Sequence, residues 1–269
     1  MCEISPSVSE IDTFINERLS TALQDKKAIV LVGGPGSGKS SGKHVVISSL
    51  EKTSKDFVNI DPDEILTKLF DNNNKCRDQV NDINDKSYEK AVEQEKNIIF
   101  DGTGKDFEWY STGVLKKLKD NNYNVILVIV MNDVENVLER IEKRAVEQGR
   151  DVDETYTRSV YDTLSLVIPK YLSLDCEYAD SIYLYDNSKE RIDLIYMTTC
   201  EDGVKHMMMV GGKIPPSKNK KSRRRTTRKS TRKSTRKSAR KSTRKSTRKS
   251  TIKSTRKSTR KSTRKSTKK

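Results

Sequence analysis

Residues 28–41 read Ala28-Ile-Val-Leu-Val-Gly33-Gly34-Pro35-Gly36-Ser37-Gly38-Lys39-Ser40-Ser41. The apolar, β-branched opening predicts a buried strand. A glycine-rich turn follows, then an expected helix from Gly38 to about Lys52. Gly33 to Ser40 fits GxxxxGK[ST], in which successive backbone N–H groups form a nest for phosphate oxygens. The N-terminus of the following helix adds positive potential. Lys39 is expected to reach the β- and γ-phosphates and the Ser40 hydroxyl to take a Mg²⁺ position. ATP and Mg²⁺ are therefore the expected ligands of residues 33–41.

Working outward, strands and helices alternate. Asp56 to Asp61 predicts a second strand, and Pro62 opens a helix to about Phe70, where its missing N–H costs nothing. Asn72 to Cys76 reads as a polar loop, and Gln79 to Glu95 as a long helix. Asn97 to Asp101 is the third strand, followed by a helix capped by Asp106. Tyr123 to Asn132 is the fourth and most apolar strand, and Asp133 caps the next helix. Thr155 to Leu174 predicts a helix interrupted at Pro169. Ser181 to Tyr185 is the fifth strand, and Ile192–Thr198 with His206–Val210 predict a small hairpin around Asp202-Gly203. This order predicts an α/β fold: a parallel, P-loop NTPase/kinase-like sheet sandwiched by helices. Ligands of such sheets sit beyond the carboxyl ends of the strands.

Charge divides the chain. Of 54 Lys+Arg, 28 lie in residues 213–269, which hold no Asp or Glu; residues 1–212 keep 26 basic against 38 acidic side chains, a net −12. From Arg228 to Thr267 the chain repeats RKST, broken only by Ala239 and Ile252. A repeat with no apolar position cannot offset the entropy of ordering, so 213–269 is expected to be a disordered tail behind a 1–212 domain. Such a polycation binds nucleic acid or acidic surfaces through charge, with a steep salt dependence. It holds no aromatic residue for base stacking.

No apolar run approaches a membrane span, and the N-terminus lacks a secretory pattern. Cys2, Cys76, Cys176 and Cys200 are far apart in sequence, so neither disulfides nor a zinc site are expected, and a reducing compartment is. The expected setting is intracellular, cytoplasmic or nuclear, and the tail fits a eukaryotic or large-DNA-virus context.

A phosphate loop serves several chemistries. No NKxD-type guanine motif supports a GTPase, and a motor needs more chain. A small kinase needs a base, cations over the transferring group and an acceptor pocket. Asp61-Pro62-Asp63-Glu64, after strand two, supplies carboxylates able to orient or deprotonate a hydroxyl. Asp63 is the expected base, and Asp61 is also placed to cap its helix. Arg140 and Arg144 share a helix face, and Arg150 follows the Gln148-Gly149 break in an expected lid. Asp101-Gly102-Thr103 ends strand three. Asp101 is placed to hold Mg²⁺, and Thr103 to bind the acceptor.

Gly33–Ser40, then Val58-Asn-Ile-Asp61-Pro-Asp63-Glu64, then Ile98-Ile-Phe-Asp101-Gly-Thr103, then Glu142-Lys-Arg144 and Gly149-Arg150 together resemble the zeta-toxin family of P-loop kinases. The resemblance spans about residues 24–190. It implies a fold similar to polynucleotide and shikimate-type kinases. It also implies ATP- and Mg²⁺-dependent phosphorylation of a hydroxyl of UDP-N-acetylglucosamine. On this resemblance Asp63 falls on the base, Lys39 on the loop lysine, and Arg144 and Arg150 on the phosphate-contacting arginines. Asp61, Asp63, Asp101 and Thr103 are the expected substrate-binding residues. The family's Glu-Gly-Thr reads Asp-Gly-Thr here, one methylene shorter. Two other readings stand beside a kinase of a small hydroxylated acceptor: a polynucleotide 5′-hydroxyl kinase, and a nucleic-acid-binding protein acting through its tail.

Overall fold

Strand β1 (Lys27–Val32) is buried from Ala28 onward and lies at the centre of a seven-stranded sheet. A computed structural model describes residues 2–148 and 152–208. The expected tail and Arg150 lie outside the described residues. The other strands are β2 (Val58–Ile60), β3 (Ile98–Gly102), β4 (Asn124–Met131), β5 (Ser181–Asp186), β6 (Asp193–Glu201) and β7 (Val204–Met208), in the order β2-β3-β1-β4-β5-β6-β7. Strands β1 to β5 pair in parallel, with Val30 opposite both Phe100 and Leu127.

The parallel sheet and the terminal hairpin are both present, and the two join at one edge. β6 pairs antiparallel with β5, and β7 with β6, so the hairpin extends the main sheet. Asp202 and Gly203, at φ 52° and 75°, supply the two left-handed residues of its tight turn.

Alternation along β1 builds two cores. Ala28, Val30 and Val32 face one side; Ile29 and Leu31 face the other. The first face is covered by α1 (Val8–Thr21), α3 (Pro62–Leu69), α4 (Arg77–Glu93) and α8 (Glu154–Leu172), through Ile15, Leu66, Val80 and Leu164 among others. Also on it is a composite helix: α5 (Phe107–Trp109), a π-wound stretch Tyr110–Lys116, and α6 (Lys117–Asp120). The second face packs Val46 and Ile47 of α2 (Lys39–Ser49). α7 (Val134–Gln148) follows β4.

Three further differences have physical causes. α1 was not anticipated, although Ser7 and Glu10 form a capping box and Phe14, Ile15 and Leu19 share its buried face. α8 runs unbroken through Pro169. The proline falls near the helix end, where only one backbone bond is lost, and buried Val167 and Tyr171 hold the turn on either side. The cysteines pair as Cys2–Cys76 and Cys176–Cys200, with Cα–Cα distances of 4.7 and 5.8 Å. Separations of 74 and 24 residues hid this, because the fold rather than local spacing brings the partners together. The spacing argument for a reducing compartment therefore falls away. Among the described residues, no helix is long and apolar enough to cross a membrane.

Candidate active site

Strand β1 ends at Val32 and α2 begins at Lys39, so residues 33–38 form a tight loop at the carboxyl edge of the sheet. Gly36 and Gly38 hold φ at 69° and 92°, a region that favours glycine. Gly38 is the N-cap of α2 and brings no side-chain cap, so the first-turn N–H groups stay available to an anion. Neighbours brace the loop from three directions. Gly33 N–H donates to the Thr103 carbonyl at 3.1 Å. The Tyr161 hydroxyl donates to the Pro35 carbonyl at 3.1 Å. Asn187 Nδ2 donates to the Ser37 carbonyl at 2.9 Å, and Arg140 donates to the Asn187 carbonyl at 3.2 Å.

A Cβ on Gly38 would lie 2.0 Å from Asn187 Nδ2. Gly38→Ala is therefore expected to combine left-handed backbone strain with loss of the Asn187 brace, destabilising the fold by about 2–4 kcal/mol and weakening ATP binding at least tenfold. Thermal unfolding and calorimetric titration with ATP check both effects.

Two cavities open on this edge. One, of about 580 Å³, is lined by the loop from Gly34 to Ser41 except Pro35, and by Arg140, Arg144 and Asn187. The other, of about 670 Å³, is lined by Pro35, Thr103, Arg77, Asn81, Lys105 and Tyr156. Lys39, Asp61, Asp63 and Asp101 line both. Gly33 is buried and lines neither. Apart from Gly33, and from Arg150, which lies outside the described residues, the expected site residues line one or both cavities.

At the junction, Lys39 Nζ donates to the Gly33 carbonyl at 2.9 Å and lies 3.7 Å from Asp101 Oδ1. In this position the ammonium closes the loop on itself. Asp61 is the N-cap of α3, accepting from Asp63 N–H at 2.9 Å. Asp63 sits in the first turn of α3, and its Oδ1 accepts from Arg77 Nη1 at 2.9 Å.

Burial, and then the Asp101 charge beside it, push the Asp61 carboxyl up to about 6. Its folded pKa exceeds the unfolded value, so the stability held by the protonated form is complete below about pH 4 and lost as pH rises through about 6. Asp61→Asn keeps a capping oxygen without the charge. Without divalent cations, this variant is expected to gain on the wild type by on the order of 2–3 kcal/mol between those limits. Thermal unfolding at several pH values reads the gap; a pH-independent difference contradicts it.

Arg77, Asn81 and Lys105 were missed in the sequence. Arg77 and Asn81 are one turn apart on α4, a helix so polar that no periodic signal separates its cavity face from its solvent face.

The chemistry of the donors fits a Mg-nucleotide. The loop offers N–H groups and an ammonium to phosphate, and Ser40, Asp61 and Asp101 offer oxygens. Among the described residues, no group of three or more His, Cys, Asp and Glu side chains could hold a metal alone. Mg²⁺ commonly takes one or two protein oxygens and completes its shell with phosphate and water, as this arrangement permits.

Comparison with known proteins agrees with this geometry. The sequence pattern of the Zeta toxin family matches residues 12–196. No curated protein sequence matches. A structure from work on the PezAT chromosomal toxin-antitoxin system of Streptococcus pneumoniae is similar at 16% identity and TM-score 0.53, covering 72% of this chain and 82% of that one. The AvrRxo1-ORF1:AvrRxo1-ORF2 structure with sulphate ions is similar at 15% identity and TM-score 0.57, covering 73% and 68%. Its counterpart with ATP gives 14% and 0.53, covering 70% and 65%. These structures share the fold, and the family match spans most of the chain. Because that match covers residues 12–196, the chain belongs to the zeta toxin family and is an ATP-dependent phosphotransferase.

Proposed function

We propose that the enzyme transfers the γ-phosphoryl group of ATP to an alcohol hydroxyl of a small acceptor, with a nucleotide sugar such as UDP-N-acetylglucosamine as the leading example. The observation that carries this reading is the pair of adjoining cavities sharing Lys39, Asp61, Asp63 and Asp101. ATP takes the loop side and the acceptor takes the side lined by Thr103.

In this reading Lys39 leaves the Gly33 carbonyl for the β- and γ-phosphate oxygens. Asp63 accepts the acceptor's hydroxyl proton while the new O–P bond forms and the bond to the ADP oxygen breaks. Arg144 and Arg150 offset charge on the moving phosphoryl group. Asp61 and Thr103 orient the acceptor, and Ser40 and Asp101 hold Mg²⁺. The metal, when bound, neutralises phosphate charge and aligns the triphosphate.

Incubation with γ-labelled ATP, Mg²⁺ and a panel of nucleotide sugars tests the reading, with a 5′-hydroxyl oligonucleotide as a separate arm. Label on a sugar nucleotide supports it. Label on the oligonucleotide alone replaces the small acceptor with a polynucleotide end.

A further inference from the structure

The first turn of α3 is tied to α1 and β2 through residues that line neither cavity: Arg18, Asn59 and Glu64. Glu64 follows Asp63, about 100° further round the helix. It stands three residues after the Asp61 cap, the position from which a glutamate commonly returns to the cap N–H. Here both oxygens go elsewhere. Oε1 accepts from Arg18 Nη2 at 2.6 Å, and Oε2 accepts from Asn59 Nδ2 at 2.9 Å. Arg18 is itself fixed on α1: its Nη1 donates to the Phe14 carbonyl at 2.9 Å, and its guanidinium carbon lies 3.3 Å from the centre of the Phe14 ring. The Arg18 and Glu64 side chains are only 17% and 33% exposed, so water and salt screen this pair less than an open surface pair.

The Asp61 cap keeps the turn helical, but a cap acts within its own helix and does not set where that helix lies. Strand β2 has three residues and lies at the sheet edge, so few ladder bonds steady the chain entering α3. Helix α1, buried through Phe14, Ile15 and Leu19, is a firmer base. We propose that Glu64, gripped by Arg18 and Asn59, is a positioning residue that holds the first turn of α3, and with it Asp63, at the junction of the two cavities. Misplacing a reacting group by about 1 Å costs on the order of 100-fold in rate, so α1 supports the transfer without touching a reactant. The inference rests on the preceding reading for the role of Asp63; the tie itself does not.

The test compares full-chain Glu64→Ala, Arg18→Met and the double variant with the wild type. Three quantities are measured: single-turnover transfer from γ-labelled ATP to UDP-N-acetylglucosamine, ATP affinity, and amide hydrogen exchange. Each single variant is expected to slow transfer by about 10- to 100-fold while ATP affinity holds within about twofold. The double variant is expected to be no slower than the worse single one, because the pair acts as a unit. The Glu64 and Ile65 amides, which donate to the Asp61 carbonyl at 3.2 and 3.3 Å, are expected to exchange about tenfold faster or more in each variant, with β1 unchanged. Glu64→Gln is expected to keep the rate within about threefold and the pH profile unchanged. Its amide still accepts from Arg18 and, once the Asn59 amide turns over, donates to Asn59 Oδ1, which is buried without a hydrogen-bond partner among the described residues.

Normal transfer in Glu64→Ala or Arg18→Met, even with a lower melting temperature, makes the tie purely structural and overturns the proposal. Glu64→Gln as slow as Glu64→Ala, with a shifted pH profile, also overturns it and gives Glu64 an electrostatic role instead. Should Glu64→Ala fail to fold, Arg18→Met and Glu64→Gln decide by the same measurements. A wild type that labels no sugar nucleotide removes that acceptor from the preceding reading, and exchange then decides the tie. Unchanged exchange at Glu64 and Ile65 overturns it, and acceleration confined to that turn upholds it.

Discussion

Asp63→Asn is expected to slow phosphoryl transfer by about 10²–10⁴-fold while leaving ATP affinity within a few fold. The change removes the proton acceptor and keeps the side chain's shape. Asp63 belongs to the first turn of α3, whose cap is the neighbouring Asp61 carboxylate, so the helix has its own support. The loop that would hold ATP is braced by Thr103, Tyr161 and Asn187, none of which depends on Asp63. The loss therefore belongs in kcat. Single-turnover assays alongside equilibrium ATP titration make the distinction. A comparable fall in ATP affinity would place Asp63 on the nucleotide side of the junction.

Lys39→Met is the second large effect. The ammonium is the positive group at the mouth of the nest, shared by both cavities and 3.7 Å from Asp101. Methionine keeps the apolar stem and removes the charge. Transfer is expected to fall by about 10²–10³-fold, with ATP binding weakened as well because the triphosphate loses a direct partner. Thermal stability should change little, since the lysine's contacts to Gly33 and Gly34 carbonyls sit at a partly open site. ATP titration, turnover and unfolding of one variant give all three values. A large drop in melting temperature with normal ATP binding would make Lys39 a structural cap for the loop.

How much of this was legible follows from how local each signal is. Strand β1, the glycine turn and α2 are adjacent in sequence, and the turn needs glycine for stereochemical reasons, so residues 28–41 announce themselves. The alternation of Ile29 and Leu31 against Val30 and Val32 is local too, and it fixes two covered faces. The hairpin was legible from its Asp202-Gly203 turn, but its pairing with β5 was not, because an apolar strand does not state its neighbour. The cysteine pairs were not legible, because Cys2 meets Cys76 only after α1 and α4 have packed. The capping box at Ser7 and Glu10 was readable and went unread. Asp63 and Asp101 line both cavities, and their places just after strands are legible in the sequence. Arg77 is not legible there, since it meets Asp63 only once α3 and α4 have packed.

In the proposed reaction, two cavities meeting at Lys39 and Asp63 pass a phosphoryl group from ATP to an alcohol. Mass spectrometry of a metabolite extract incubated with the full chain, ATP and Mg²⁺ tests it most directly, with Asp63→Asn in parallel. The expected result is an alcohol metabolite that gains one phosphoryl group with the wild type and not with the variant. ADP formation with no phosphorylated alcohol, or the same product from both proteins, would rule out that transfer.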